Sequence, residues 1–446
     1  MKMIFGVSDK PKFGQLIIFA IQQLLAIMTA TLVVPVIIGN GMSSAAALVG
    51  AGIGTLVYVL FTKKKSPVFL GSSFAFIGSM FAAFAGGVSM ALGYAGLIIG
   101  TAFAGLVYVV IAIIVKIAGV KWINKLMPPV VIGPTVAIIG LSLAGNAVGD
   151  VLKFAQLDAA NSVYVMGTQA WIGFLCALVT VAVVILCSTY GKKTIKLIPF
   201  IMGILAGYLV ASIFTVIGMN TGNEALKIIN FPTWTGLFAT PDFTFLTALK
   251  GIGEITPGYI ATIAVAYIPV AFVVFAEHIA DHKNLSSIIG SDLLEEPGLH
   301  RTLLGDGVGS IAGAFFGGCP NTTYGESVGC VAISGNASVV TILTTAILSI
   351  VASFFTPFVA FLASIPACVM GGVCITLYGF IAVSGLKMLQ NVDLGENKNL
   401  FVVATILITG IGGMALQIGQ IKITAIACAL ILGILVNLMV SGKKAQ

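Results

Sequence analysis

The stretch GGCPNTTYGESVGCVAIS (317–334) and the earlier stretch SPVFLGSSFAFIGS (66–79) are the least regular parts of an otherwise largely apolar chain. Both are short apolar segments interrupted by proline, glycine, serine or threonine, which leaves backbone N–H and C=O groups without partners. Within a bilayer such groups are tolerated only where they line a cavity. Paired broken segments are the best sequence indication of a transporter's binding site. The two stretches therefore predict a transporter whose site lies between them.

The composition supports a membrane protein. Of 446 residues, 59% are hydrophobic and 8% are charged, whereas an ordinary soluble protein carries about 25% charged residues. So few charges cannot cover the surface of a water-soluble globule of this size. The composition therefore excludes a soluble enzyme, a nucleic-acid binder and a disordered protein. It predicts an all-α polytopic membrane protein in contact with lipid.

Apolar runs divide the chain into fourteen predicted transmembrane spans. A span needs about 20 apolar residues to cross roughly 30 Å of hydrocarbon. The predicted spans lie near 14–38, 45–61, 67–85, 92–117, 128–146, 168–188, 195–218, 257–281, 301–317, 321–334, 337–363, 366–387, 399–415 and 421–441. Residues 1–218 then hold the first seven spans and 251–446 the second seven. The polar stretch 219–250 is predicted to be an extracellular loop.

The lysine and arginine residues test the count of spans. With the N-terminus in the cytoplasm, 18 of the 22 Lys and Arg residues fall in predicted cytoplasmic segments, as the positive-inside rule requires. This bias also accounts for the net charge of +7 without an anionic partner. Both termini are predicted to be cytoplasmic, in a multi-pass membrane protein. Seven spans in each half place the halves in opposite orientations, which predicts two inverted repeats.

Four acidic residues lie within predicted spans or at their ends: Glu277, Asp281, Asp306 and Glu326. A carboxylate at the centre of a bilayer costs about 2.5–3.5 kcal/mol on insertion scales. Glu277 and Asp281 are four residues apart and share one face of a helix, which disfavours ionisation of both and holds a proton on one. This arrangement predicts coupling to protons. As an alternative, Asp281 caps its helix or pairs with Lys283. Asp306 lies in a short glycine-rich helix and is expected to give structural support.

Histidines and cysteines give no sign of a metal centre or a catalytic pair. His278 points away from Glu277 and is expected to pack, and His282, beyond the predicted end of its span, is expected to be solvated. The seven cysteines form no CxxC pair and are expected to be buried small apolar residues. We therefore expect no enzyme activity, no metal and no cofactor. Isolated acids, without a continuous polar pore, also argue against an ion channel.

Several motifs resemble the nucleobase–ascorbate transporter family, and within it the uracil permease branch is the most similar. The motifs are FAEHIADH (275–282), GDGVGSIAGAFFGG (305–318), GGCPNTTYGESVG (317–329), LGSSFAFIG (70–78), VMGGVCITLYGFIAVSGLKML (369–389) and IQQLLAIMTATLVVPVIIG (21–39). They follow the family's order along nearly the whole chain. The resemblance implies a core domain, 14–117 plus 257–363, and a gate domain, 128–218 plus 366–441. It also implies short β-strands in broken spans 3 and 10 and assembly as a homodimer.

The resemblance implies a nucleobase site between the two broken spans. Glu277 and Glu326 match the acids that bind the base, and Asp281 with Glu277 would couple the proton, which is the only coupling ion expected. Further contacts would come from the backbone near Ala30, Phe74 and Gly325. The aromatic side chains of Tyr324 and Tyr378 would also contribute. The implied activity is proton-coupled uracil symport.

Three positions depart from the uracil permease pattern. Asp281 stands where uracil permeases often have histidine and purine-transporting relatives often have aspartate. The pair Gln22-Gln23 replaces the usual Gln-His, and Ser327 replaces a common asparagine. A proton-coupled xanthine or other purine permease therefore remains the alternative.

Overall fold

The computed structural model describes residues 3–119, 128–158, 163–192, 194–390, 392–418 and 421–441. These residues contain eighteen α-helices and six three-residue strands. The helices of the first half are α1 Phe13–Ile38, α2 Ser44–Phe61, α3 Ile77–Ala83, α4 Met90–Ala118, α5 Pro129–Ser142, α6 Ala144–Val151, α7 Thr168–Tyr190, α8 Thr194–Leu197 and α9 Pro199–Thr221. Those of the second half are α10 Thr244–Ala248, α11 Pro257–Ile289, α12 Leu299–Gly317, α13 Gly325–Ser334, α14 Val339–Phe354, α15 Thr356–Ala363, α16 Ala367–Met388, α17 Asn397–Ile411 and α18 Ala425–Ser441.

The six strands pair as three separate two-stranded antiparallel ladders. They are β1 Leu70–Ser72 with β4 Asn321–Thr323, β2 Gln156–Asp158 with β3 Val163–Val165, and β5 Leu416–Ile418 with β6 Ile421–Ile423. Within the described residues, eight helices are long and apolar enough to cross a membrane, and three shorter helices are also apolar. A mostly helical fold with this many apolar helices is what the composition predicts for a multi-pass membrane protein.

Local sequence signals set the ends of several helices. The Ser43 hydroxyl accepts a hydrogen bond from the Ala46 N–H at the start of α2, and Thr256 does the same for the Tyr259 N–H at the start of α11. Such caps satisfy N–H groups that have no acceptor within the helix. At the other end of α11, Gly290 adopts a left-handed conformation with φ of 70°, which glycine allows without steric cost.

The chain divides into two compact units. The first comprises residues 1–142, 241–351 and 381–446, and the second comprises residues 143–240 and 352–380. In the second unit, α7 and α9 pack closely. A Cβ atom added to Gly207 on α9 would lie only 2.0 Å from the Thr180 hydroxyl on α7. The division into a core domain and a gate domain remains a prediction.

Glycines bring α2 and α12 into direct backbone contact within the first unit. A Cβ atom added to Gly50 would lie 2.4 Å from the Gly313 carbonyl oxygen, and one added to Gly54 would lie 2.7 Å from the Gly309 carbonyl oxygen. Both pairs are spaced by four residues, so they lie on one face of each helix. This is the small-residue packing that membrane helices use to approach each other closely.

The paired strands β1 and β4 lie beside this helix pair. Their register is Leu70 with Thr323, Gly71 with Thr322, and Ser72 with Asn321. Thr55 on α2 accepts a hydrogen bond from the Leu70 N–H at 2.9 Å. Each strand is followed by a short helix, α3 or α13. The two broken segments that the sequence predicts thus meet through their strands, and their backbone groups are satisfied by each other and by α2.

Candidate substrate site

A cavity of about 70 Å³ lies in the first unit where the two broken segments meet. Its walls are formed by the turn after β1 (73–75), by the end of β4 with the start of α13 (322–326), and by Glu277 on α11. Apolar side chains of α5 and α16 complete it: Val136, Ile139 and Ile381. A cavity of roughly 10–15 Å³ is the least that holds one water. This cavity therefore has room for more than a single water.

The start of α13 contributes both donors and an acceptor to this cavity. The N–H groups in the first turn of a helix have no acceptor within the helix, and here that turn begins at Gly325, which lines the cavity. Glu326 follows in the same turn, and its carboxyl group lies at the positive end of the helix dipole. Hydrogen-bond donors and a carboxylate acceptor thus stand side by side.

Glu277 and Asp281 approach the same region from α11. Glu277 lines the cavity directly. The Asp281 carboxylate accepts a hydrogen bond of 3.0 Å from the Thr323 hydroxyl on β4, and a Cβ atom added to Gly325 would lie 3.9 Å from Asp281 Oδ1. Asp281 therefore contacts the broken segment itself, which argues against the alternative that it only caps its helix or pairs with Lys283.

Tyr324 connects the two broken segments at the wall of the cavity. Its hydroxyl donates a hydrogen bond of 2.7 Å to the Ser72 carbonyl oxygen. Its ring covers Gly71, where an added Cβ atom would lie 2.3 Å from the ring carbon Cε2. Ala30 is buried in the same apolar cluster and is not among the residues that line the cavity in the described part of the chain. Tyr324 thus holds β1 and β4 together as well as lining the site.

The two remaining aromatic candidates lie in different places. Phe74 is half-buried and lines the cavity in the turn after β1. Tyr378 is buried on α16 within the second unit. Its proposed position opposite the ligand remains a prediction.

Comparison with known proteins identifies the family. A family model described as "Permease family" matches residues 14–419. The chain belongs to this family, the nucleobase–ascorbate transporters. The resemblance drawn from its motifs is confirmed, and so is the expectation that the chain is a transporter and not an enzyme.

Full-length relatives of the family come from several bacteria. A uracil permease of Bacillus caldolyticus is 39% identical over 446 residues, which is 99% of this chain and 96% of that one. A uracil permease of Bacillus subtilis is 37% identical over 100% of this chain and 97% of that one. A uracil permease of Escherichia coli is 34% identical over 97% of this chain and 93% of that one.

Two solved structures share the fold at low identity. The transmembrane domain of the cyanobacterial bicarbonate transporter BicA superposes with a TM-score of 0.65 at 16% identity, covering 97% of this chain and 99% of that one. The murine anion transporter Slc26a9 gives a TM-score of 0.68 at 11% identity, covering 97% and 69%. At these identities the likeness concerns the fold alone.

Two departures from the family's uracil permease pattern meet in the structure. The Gln23 side-chain amide on α1 donates a hydrogen bond of 2.6 Å to the Ser327 hydroxyl on α13, and the Phe69 N–H donates to the same oxygen at 3.1 Å. Both side chains are buried. Ser327 thus joins α1, the chain entering β1, and the half-helix that carries Glu326. These positions are 304 residues apart, and no sequence pattern connects them.

His282 contradicts the expectation that it is solvated. The expected span ends at 281, but α11 continues to Ile289, and His278 and His282 are both fully buried. His278 does more than pack, because its Nδ1 lies 2.8 Å from Asp306 Oδ2. This contact fits the supporting role that the sequence suggests for Asp306. Within the described residues, no group of three His, Cys, Asp or Glu side chains is placed to hold a metal ion.

Proposed function

We propose that the chain is a proton-coupled uracil symporter of a bacterial inner membrane. The observation that carries this proposal is the cavity where Glu277, Glu326 and the first turn of α13 converge. Three relatives that match nearly the whole chain are uracil permeases. The polar groups of uracil also match the donors and acceptors of the site.

Uracil is planar and neutral, with two N–H donors and two carbonyl acceptors. The carboxylates of Glu277 and Glu326 would accept from the N–H groups, and the free N–H groups in the first turn of α13 would donate to a carbonyl. Phe74 would stack on the ring. A site that pairs each polar edge discriminates strongly against analogues that leave a buried group unpaired.

Proton coupling is assigned to Asp281 together with Glu277. Because uracil carries no charge, the membrane potential cannot drive it alone, whereas one proton moving with it adds about 2.3 kcal/mol per 100 mV. Asp281 accepts its hydrogen bond from Thr323, one residue before Tyr324. Protonation of Asp281 would weaken this charge-assisted bond and so loosen β4 beside the substrate. Protonation of Asp281 would in this way act directly on the substrate site.

The proposal includes the family's architecture. Fourteen spans form two inverted repeats, with both termini in the cytoplasm. A core domain (14–117 plus 257–363) moves against a gate domain (128–218 plus 366–441), and Tyr378 is proposed as a further contact of the base. Two copies form a homodimer.

A xanthine or other purine permease is the second candidate, because Asp281 stands where purine-transporting relatives often have aspartate. Titration of the purified protein with each base separates the two. Uracil is expected to bind more tightly than xanthine. Tighter binding of xanthine would overturn the uracil assignment while leaving the transporter assignment intact.

The variant Asp281→Asn is expected to keep uracil binding within about threefold and to lose most accumulation against a concentration gradient. Asparagine still accepts from Thr323 but takes up no proton. Binding to purified protein and gradient-driven uptake into vesicles measure the two properties. The matched control is Asp242→Asn, which changes an exposed aspartate that does not line the cavity. If both properties survive in Asp281→Asn, Asp281 is a structural residue.

A further inference from the structure

Each acid of α11 is followed directly by a buried histidine. The pairs are Glu277-His278 and Asp281-His282, one helical turn apart. Successive residues on a helix are rotated by about 100°, so the two acids share one face and the two histidines share another. The acid face meets the cavity and β4. The histidine face meets α2 and α12, as its hydrogen bonds show.

The hydrogen bonds of His282 fix its tautomer. Its Nδ1 lies 2.8 Å from the His278 carbonyl oxygen, which only accepts, so Nδ1 carries the proton. Nε2 of the neutral ring then accepts from the Tyr58 hydroxyl of α2 at 2.6 Å. The Tyr58 oxygen in turn lies 2.7 Å from the Ser66 hydroxyl, which is the remaining donor. All these side chains are buried.

His278 binds to α12 in the same way. Its Nδ1 lies 2.8 Å from Asp306 Oδ2, and its Nε2 lies 3.0 Å from the Thr302 hydroxyl oxygen. The rings of His278 and His282 stack with centroids 4.0 Å apart and planes inclined by 27°. The stacked pair is thus bonded to α12 through one ring and to α2 through the other, which leaves α11 little freedom to rotate about its axis.

We propose that His278 and His282 are positioning residues, which set the rotation of α11 so that Glu277 and Asp281 face the nucleobase and β4. This proposal rests on the proposed function. A glutamate carboxyl group lies roughly 6 Å from the helix axis, so a rotation of about 10° moves it by about 1 Å. A misplacement of that size exceeds the roughly 0.5 Å within which a binding constellation must be held.

The test compares His282→Leu with His282→Gln. Leucine removes both ring hydrogen bonds, whereas the glutamine side chain places an acceptor near the former Nε2 and keeps the bond from Tyr58. We expect the uracil Kd to rise roughly tenfold or more in His282→Leu and to return to within about threefold of wild type in His282→Gln. Tyr58→Phe, which removes the same bond from the α2 side, is expected to resemble His282→Leu. His300→Leu, at the start of α12, is the control.

The melting temperature of ligand-free protein separates positioning from general destabilisation. A purely structural histidine lowers the melting temperature but leaves Kd unchanged, because Kd reports only the folded molecules. Unchanged Kd in His282→Leu overturns the proposal, and so does a glutamine variant that binds no better than the leucine variant.

A readout without ligand keeps the proposal separate from the proposed function. If wild-type protein binds no uracil, the proposed function fails. The positioning of Glu277 is then measured by its rate of modification by a carbodiimide, followed by peptide mass spectrometry. The rate is expected to change in His282→Leu and to be restored in His282→Gln. Equal rates in all three proteins contradict the positioning role.

Discussion

Replacing Glu326 by glutamine is expected to weaken uracil binding by roughly 10- to 150-fold. The carboxylate lies in the first turn of α13 at the cavity wall, and a hydrogen bond to a charged acceptor contributes about 1.5–3 kcal/mol. The amide of glutamine accepts less strongly and can turn an N–H donor toward the N–H groups of the base. Titration of purified wild-type and variant protein with uracil measures the loss.

The matched control for this variant is Glu254→Gln, which changes an exposed glutamate and is expected to bind as wild type. Circular dichroism of both variants establishes that the helices are intact. Near-native affinity in Glu326→Gln would remove Glu326 from the substrate site.

Replacing Gly50 by alanine is expected to give the second large effect, on folding. The added Cβ atom would lie 2.4 Å from the Gly313 carbonyl oxygen, and a backbone oxygen cannot move aside as a flexible side chain can. Overpacking of this kind costs about 1–3 kcal/mol, so we expect a clear fall in melting temperature and in the yield of folded protein. Gly50→Val should fail to give folded protein.

Gly379→Ala provides the comparison, because an added Cβ atom at this helical position meets no atom within 4 Å. Alanine there is expected to be neutral or to stabilise by up to about 1 kcal/mol. Equal melting temperatures for Gly50→Ala and Gly379→Ala would mean that α2 and α12 are not in backbone contact in the folded protein.

The broken segments could be predicted from sequence because their cause is local. Pro67 and Pro320 with the nearby serine, threonine and glycine residues interrupt an apolar span wherever they occur, so both stretches were predicted as irregular. The register between β1 and β4 could not be predicted in this way. It pairs Gly71 with Thr322 across about 250 residues of chain, and no periodicity within either strand specifies the partner.

The histidines show a different limit. Hydropathy falls after 281 and so predicts a solvated His282, yet the helix continues for two more turns with one buried face. Hydropathy averages over all faces of a helix and therefore hides a single polar face that is paired within the protein. The bond between Gln23 and Ser327 cannot be predicted for a related reason, since each residue is an isolated departure from the family pattern and only the fold brings the two together.

Uptake of radiolabelled uracil into proteoliposomes, with and without an inward proton gradient and with excess unlabelled xanthine as competitor, tests the central claim most directly. We predict saturable uptake that the gradient accelerates and that xanthine leaves largely unchanged. Absence of uracil uptake, uptake indifferent to the gradient, or uptake abolished by xanthine would contradict a proton-coupled uracil symporter.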